Sequence, residues 1–263
     1  MLALIAGRGD LPKAVALAQS VRPLVCAVDG FAPNDLVVGY IFPIEKLGGL
    51  LRFLKAQGVT QVCLCGGIDR PNFAISRMDI WTVPLVPILL RALKLGDDGA
   101  LRAVIEVFES RGITVRAAHD LAPGLLPKAG IPTRTQPDPH TMSDVAAGDQ
   151  EIREMGRKDL GQACLIRDGK VVQREVDSGT DAMMAMNADA ALGAVFYKAP
   201  KPQQDRRVDL PTIGLDTAKR AVQMGLRGLV IEAGGVIVLD QDKVIETLDQ
   251  NGLFLWVREK GAA

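Results

Sequence analysis

The chain has little of what several common functions require. Histidine occurs only at His119 and His140 in 263 residues, and Cys26, Cys63, Cys65 and Cys164 lack the paired spacing of a zinc site. Cys63 and Cys65 alternate along Val62-Cys-Leu-Cys65 and so share one strand face, which fits buried reduced thiols and a reducing cytoplasm. Neither sign of charge is in surplus: 31 Lys+Arg balance 31 Asp+Glu, which argues against a field for nucleic acid or tight binding to anionic membrane. Any anionic ligand must therefore be held locally. The longest apolar run, Ile80 to Leu90, contains Pro84 and Pro87 and falls far short of the ~20 residues of a membrane helix. The opening apolar run has no basic residues before it and stops at Gly7, too early for a signal peptide, so a soluble protein is expected.

What is present is an alternation of short apolar runs with helical stretches. Leu2-Ala6, Lys13-Ser20, Leu24-Val28, Leu47-Gln57 and Gln61-Cys65 have a βαβ rhythm, which predicts a parallel sheet with helices on its faces. A helix over Ala100-Ser110 and a strand at Ile113-Val115 follow. Five of the 15 prolines fall between Ala122 and His140, where regular structure is disfavoured, so two α/β domains are expected, 1–135 and 136–263. Beyond the junction, Ser143 is expected to cap a helix running to about Arg157. Asp168-Gly169 between two β-rich runs predicts a hairpin with a type I′ turn. Helices near Ala182-Ala191 and Asp216-Met224, strands at Ala194-Lys198, Gly228-Glu232 and Val236-Asp240, and a last helix and strand complete the second domain.

Gly7-Arg-Gly9 follows a strand and opens a helix, which imitates a dinucleotide fingerprint, with Asp29 at the end of the next strand. The third glycine is replaced by Pro12, a residue of first helical turns, which argues against bound NAD and leaves a tight turn or a ligand loop. Gly66-Gly67 leads to Asp69 and Arg70 at a carboxyl edge, where they hold a ribose, base or phosphate or form a plain polar loop. Asp97 and Asp98 either cap a helix or face a ligand.

Hydrolysis of a diphosphate needs charge neutralised on its non-bridging oxygens and a water activated, tasks shared by Mg²⁺ on carboxylates and by Lys or Arg. Gly179-Thr-Asp181 brings a carboxylate to a helix start, and Lys198, Lys201, Asp205, Arg206, Arg207 and Asp209 lie within twelve residues. If that segment is extended, with Val208 and Leu210 facing inward, Arg207 and Asp209 share the other side. A solvated run with an internal salt bridge is the competing reading. Met183, Met184 and Met186 suit either a pocket for acyl chains or plain core.

Gly9-Asp-Leu-Pro12, Gly96-Asp-Asp98, Gly179-Thr-Asp-Ala-Met183 and Lys198 to Gly214, with Glu232-Ala-Gly234 and Gly252-Leu-Phe254 in order, resemble the LpxI-type UDP-2,3-diacylglucosamine pyrophosphatases along the whole chain. The resemblance implies a Rossmann-like first domain and a second α/β domain, enclosing a lipid-bearing nucleotide sugar in the cleft between them. It also implies Mg²⁺-assisted attack of water that releases UMP and 2,3-diacylglucosamine 1-phosphate in lipid A biosynthesis. By it Asp209 is the catalytic carboxylate and metal ligand, with Asp181 and Asp205 as further acidic candidates. Gly9, Asp10, Leu11, Gly67, Asp69, Arg70, Asp97, Asp98, Thr180, Lys198, Lys201, Arg206 and Arg207 are then the substrate-binding candidates. A cytoplasmic enzyme, with transient contact at the inner face of the membrane, is the matching location. Where the family reads Glu-Gly-Thr-Asp this chain has Ser178-Gly-Thr-Asp181, so one carboxylate is missing and a non-catalytic nucleotide-lipid sensor or carrier is the alternative.

Overall fold

The structure, a computed structural model, describes residues 1–69, 74–93, 97–176, 179–185 and 191–259. The chain divides into two compact α/β units, Met1–Pro123 with Asp205–Asp209, and Gly124–Gln204 with Leu210–Ala263.

In the first unit β1 (Leu2–Ala6), β2 (Leu24–Val28), β3 (Tyr40–Phe42), β4 (Gln61–Cys65) and β5 (Thr114–Val115) form an all-parallel sheet in the order β3-β2-β1-β4-β5. Both faces of such a sheet are covered, which is why β1 and β2 are unbroken apolar runs and why Ala3 to Ala6 and Val25 to Val28 are all buried. Helices α1 (Leu11–Leu17), α2 (Leu47–Ala56), α3 (Val86–Leu93), α4 (Asp97–Glu109) and α5 (Ala118–Leu121) complete the unit. Helix α2 buries Leu47, Leu50, Leu51 and Leu54, the i, i+3, i+4, i+7 stripe, each leucine contributing roughly 1.5–3 kcal/mol. Pro12 sits in the first turn of α1, as its fixed φ favours. The strand order reverses between β1 and β4, so the crevice at their carboxyl ends is a topological switch point.

In the second unit β6 (Ala163–Arg167), β7 (Lys170–Arg174), β8 (Val195–Lys198), β10 (Gly228–Glu232) and β12 (Phe254–Arg258) form a mixed sheet, β12-β10-β8-β6-β7. β8, β10 and β12 are parallel, and the β6–β7 hairpin is added antiparallel to β8. Asp168 and Gly169 both have positive φ, 54° and 71°, the geometry of a type I′ turn. Short β9 (Thr212–Ile213) and β11 (Ile237–Val238) pair with each other. Helices α6 (Thr141–Arg157), α7 (Gly179–Ala185), α8 (Leu215–Gln223) and α9 (Gln241–Gln250) accompany these strands. The cap expected from Ser143 is not formed, because α6 starts two residues earlier and the Ser143 hydroxyl donates to the His140 carbonyl at 2.7 Å. Asp138 takes the role, accepting the Thr141 N–H at 2.9 Å and hydroxyl at 3.0 Å. Met183 and Met184 are core residues of this unit, packed with Phe196 and Leu229. Met186 lies outside the described residues.

Candidate active site

The glycines after β1 and β4 bring two loops together. Gly7 donates to the Cys65 carbonyl at 2.8 Å, and Arg8 and Gly67 exchange two hydrogen bonds of 2.9 Å. A Cβ on Gly7 would lie 2.5 Å from the Gly67 carbonyl oxygen, and one on Gly66, at φ +92°, would lie 2.6 Å from that of Gly7. These glycines therefore serve a backbone-to-backbone approach across the switch point. The N–H groups of Gly7, Arg8 and Gly67 already have partners, whereas a dinucleotide loop would direct such donors at a pyrophosphate. Gly9 follows at φ +91°, and Asp10, Leu11 and Pro12 turn into α1. Asp10 is exposed, with no side-chain bond to the helix start. Asp69 is held by Arg8 at 3.0 Å, and the Arg8 guanidinium also lies 4.7 Å from the centre of the Phe31 ring. Asp97 and Asp98 begin α4. Arg70 lies outside the described residues.

The charged cluster divides into separate arrangements. Asp205 to Asp209 is a turn rather than an extended segment, closed by Val208 and Asp209 N–H groups donating to the Asp205 carbonyl at 3.2 and 3.1 Å. The two-residue period that would set Arg207 beside Asp209 therefore does not apply. Arg207 instead grips both carboxylate oxygens of Asp205, at 3.1 and 2.8 Å, and reaches Glu109 at the end of α4 at 2.8 Å. The Arg207 fork holds the Asp205 carboxyl below its ordinary value, and the same hydrogen bonds push Arg207 up. Arg206 is exposed and Asp209 half-buried on this turn.

Lys198, at the carboxyl end of β8, is almost wholly buried. Its ammonium donates to the Thr180 hydroxyl at 2.8 Å and to the Thr212 carbonyl at 3.1 Å. Thr180 donates in turn to Glu175 at 3.0 Å, and the second Glu175 oxygen accepts the Gln162 N–H at 2.8 Å. Burial pushes the Lys198 pKa down, and the charges of Glu175 and Asp181 oppose that push. Lys198 thus ties the Gly179-Thr-Asp181 turn to the strand that ends the Val208–Gly214 stretch. Glu175, a member of this relay, is not among the residues expected from the sequence, because the motif that would point to a carboxylate here has Ser178, three residues later and outside the described residues, in its place. Asp181 is 79% exposed at its side chain, 3.7 Å from Arg220. Lys201 is buried, with its ammonium 2.7 Å from Asp159.

Among the described residues no three His, Cys, Asp or Glu side chains converge as a metal cage. Mg²⁺ commonly takes one or two carboxylates and fills its octahedron with waters and substrate phosphates. Asp209, half-buried on the 205–209 turn, and the exposed Asp181 are carboxylates of the kind such an ion takes.

A model of the LpxI N-terminal domain matches residues 1–125, and one of the LpxI C-terminal domain matches residues 128–256. The UDP-2,3-diacylglucosamine pyrophosphatase LpxI of Caulobacter vibrioides is 37% identical over 268 residues, covering 97% of this chain and 96% of that protein. With both halves matched in order and a relative aligned almost end to end, the chain belongs to the LpxI family.

Proposed function

We propose that the chain hydrolyses the diphosphate of UDP-2,3-diacylglucosamine to UMP and 2,3-diacylglucosamine 1-phosphate, a step of lipid A biosynthesis. The relationship to the Caulobacter enzyme supports the substrate. The Lys198 node is the structural observation that carries the reading. An ammonium has three donors, and two of Lys198's go to Thr180 and Thr212, so the third is assigned to a non-bridging phosphoryl oxygen. In a buried setting that charge-assisted bond strengthens as negative charge builds in the transition state. Asp209 is assigned to orient the attacking water and to supply one carboxylate to Mg²⁺. The metal, when bound, neutralises phosphate charge and polarises the scissile bond. Arg206 and Lys201 are assigned to the diphosphate, and Arg207 acts by holding Asp205. Gly9, Asp10, Leu11, Gly67, Asp69, Arg70, Asp97, Asp98 and Thr180 keep their assignment to the substrate, with Asp181 as a further acidic candidate. The protein is placed in the cytoplasm.

The test is UMP release from detergent-dispersed substrate, with Mg²⁺ or with a chelator. Asp209→Ala is expected to lower the rate by about a hundredfold or more while the thermal melt is kept. Full activity in that variant removes Asp209 from the mechanism. Substrate binding without UMP release in the parent protein establishes the sensor reading instead.

A further inference from the structure

Residues 79–90, which lead into α3 and form its first turns, present apolar side chains to solvent although Asp79 and Thr82 anchor the backbone ahead of the helix. Asp79 accepts N–H groups from Gly49 at 3.0 Å and Thr82 at 2.7 Å, and the Thr82 hydroxyl accepts the Gly48 N–H at 2.8 Å. Two polar groups of this segment thus satisfy donors in the first turn of α2, which a helix leaves open. Gly48 lets the chains touch, since a Cβ there would lie 2.1 Å from the Trp81 carbonyl carbon. Between and beyond these anchors Ile80 is 74% exposed, Trp81 50%, Val83 54% and Leu90 41%, whereas Leu85 and Leu89 point into the core. Pro84 and Pro87 are exposed too. The stretch is apolar on both sides, and among the described residues one side packs into the core while the other is exposed.

Among the described residues, arginines flank this face. Arg77 and Arg91 are exposed at its two ends, and Arg52 lies over the Trp81 ring at 3.7 Å. Asp79 and Glu45 are turned inward, Glu45 accepting the Ala74 N–H at 3.2 Å. Glu106, itself half-exposed, pairs with Arg91 at the margin, which leaves Arg77 and Arg52 as the cations there without an acidic partner on that face among the described residues. A tryptophan with arginines around an aliphatic patch is the composition that settles at the boundary between headgroups and acyl chains, with anionic lipid as the counter-charge. We propose that the face built from Ile80, Trp81, Val83 and Leu90 docks on an anionic bilayer surface. The purpose of docking rests on the diacylated substrate proposed above, because two acyl chains keep that molecule in lipid. The surface itself is testable without substrate.

The full chain is floated with vesicles of phosphatidylethanolamine and phosphatidylglycerol, and with phosphatidylcholine vesicles as the uncharged control. The expected result is binding to the anionic vesicles, a blue shift of Trp81 emission in a Trp256→Phe background, and quenching by brominated acyl chains. Combined Ile80→Ser, Trp81→Ser and Val83→Ser lowers the vesicle partition coefficient roughly tenfold or more, with detergent-dispersed turnover unchanged. Arg77→Glu, a single exposed change that leaves the apolar face intact, weakens binding to the anionic vesicles only. Unbound parent protein, equal binding by the triple variant, or unquenched Trp81 overturns the proposal. So does a solution dimer that the triple variant dissociates, which would make the face a seat for a second copy. Vesicle binding without UMP release supports the surface and defeats the hydrolase reading, so the two fail separately.

Discussion

An enclosed ammonium must replace its water with protein acceptors, and Lys198 does so with a hydroxyl that is itself fixed by Glu175. Lys198→Met is expected to lower UMP release about a hundredfold and to destabilise by roughly 3–5 kcal/mol, because Glu175 is left as an uncompensated buried charge. Adding Glu175→Gln should return part of the stability and none of the activity, read by chemical denaturation and turnover on the same proteins. Asp205 gives a prediction in pH. Arg207 holds its folded pKa below 3.8, so the unfolded chain takes up that proton first as pH falls. The stability that Asp205 contributes is full above 3.8 and lost as pH drops through the lowered folded value. The difference in denaturation midpoint between the parent and Asp205→Asn should therefore shrink on going from neutral pH to about pH 3. At this scale the sequence identified a charged cluster but not its pairs. Pairing depends on whether residues 205–209 extend or turn, and a two-residue period carries no information once the chain turns.

Elements were more legible where burial dictates composition. β1, β2, β4 and β10 have the bounds expected from the sequence, since a strand covered on both faces is an unbroken apolar run that a polar residue at an end, such as Gln61 or Glu232, marks off. β3 was not foreseen: it has three residues, only Phe42 of them buried, and is defined by its pairing with Cys26 to Val28. The start of α6 was missed for a related reason, as Asp138 caps it from outside the periodic pattern. The loop after β1 had the right residue type under an uncertain purpose, because a glycine that admits a phosphate and one that admits another backbone are written the same way. Gly7→Ala separates the two. It is expected to destabilise by roughly 1–3 kcal/mol, seen as a lower thermal midpoint with no ligand present, since its Cβ would meet the Gly67 carbonyl at 2.5 Å. An unchanged midpoint would show that the two loops are not joined in solution.

For the molecule as a whole, the alternation of strands and helices and the ordered motifs were enough to identify two α/β units and the LpxI family. The strand order of each sheet was not legible, because it depends on which crossovers pack together and not on any one segment's pattern. Nor was the membership of residues 205–209, which lie far along the chain yet belong with Met1–Pro123. There Val208 packs against the core that holds Phe42 and Phe108, and Arg207 meets Glu109. The gene therefore cannot be divided at one point into two self-sufficient products. A piece ending at Pro123 lacks a portion of its own interior, and the complementary piece carries that portion as an orphan. Expressed alone, residues 1–123 should melt earlier and bind a hydrophobic dye more strongly than the same unit within the intact chain, a difference calorimetry would reveal. Any inheritance of the two halves by exchange between genes would have had to carry both pieces of the first unit at once.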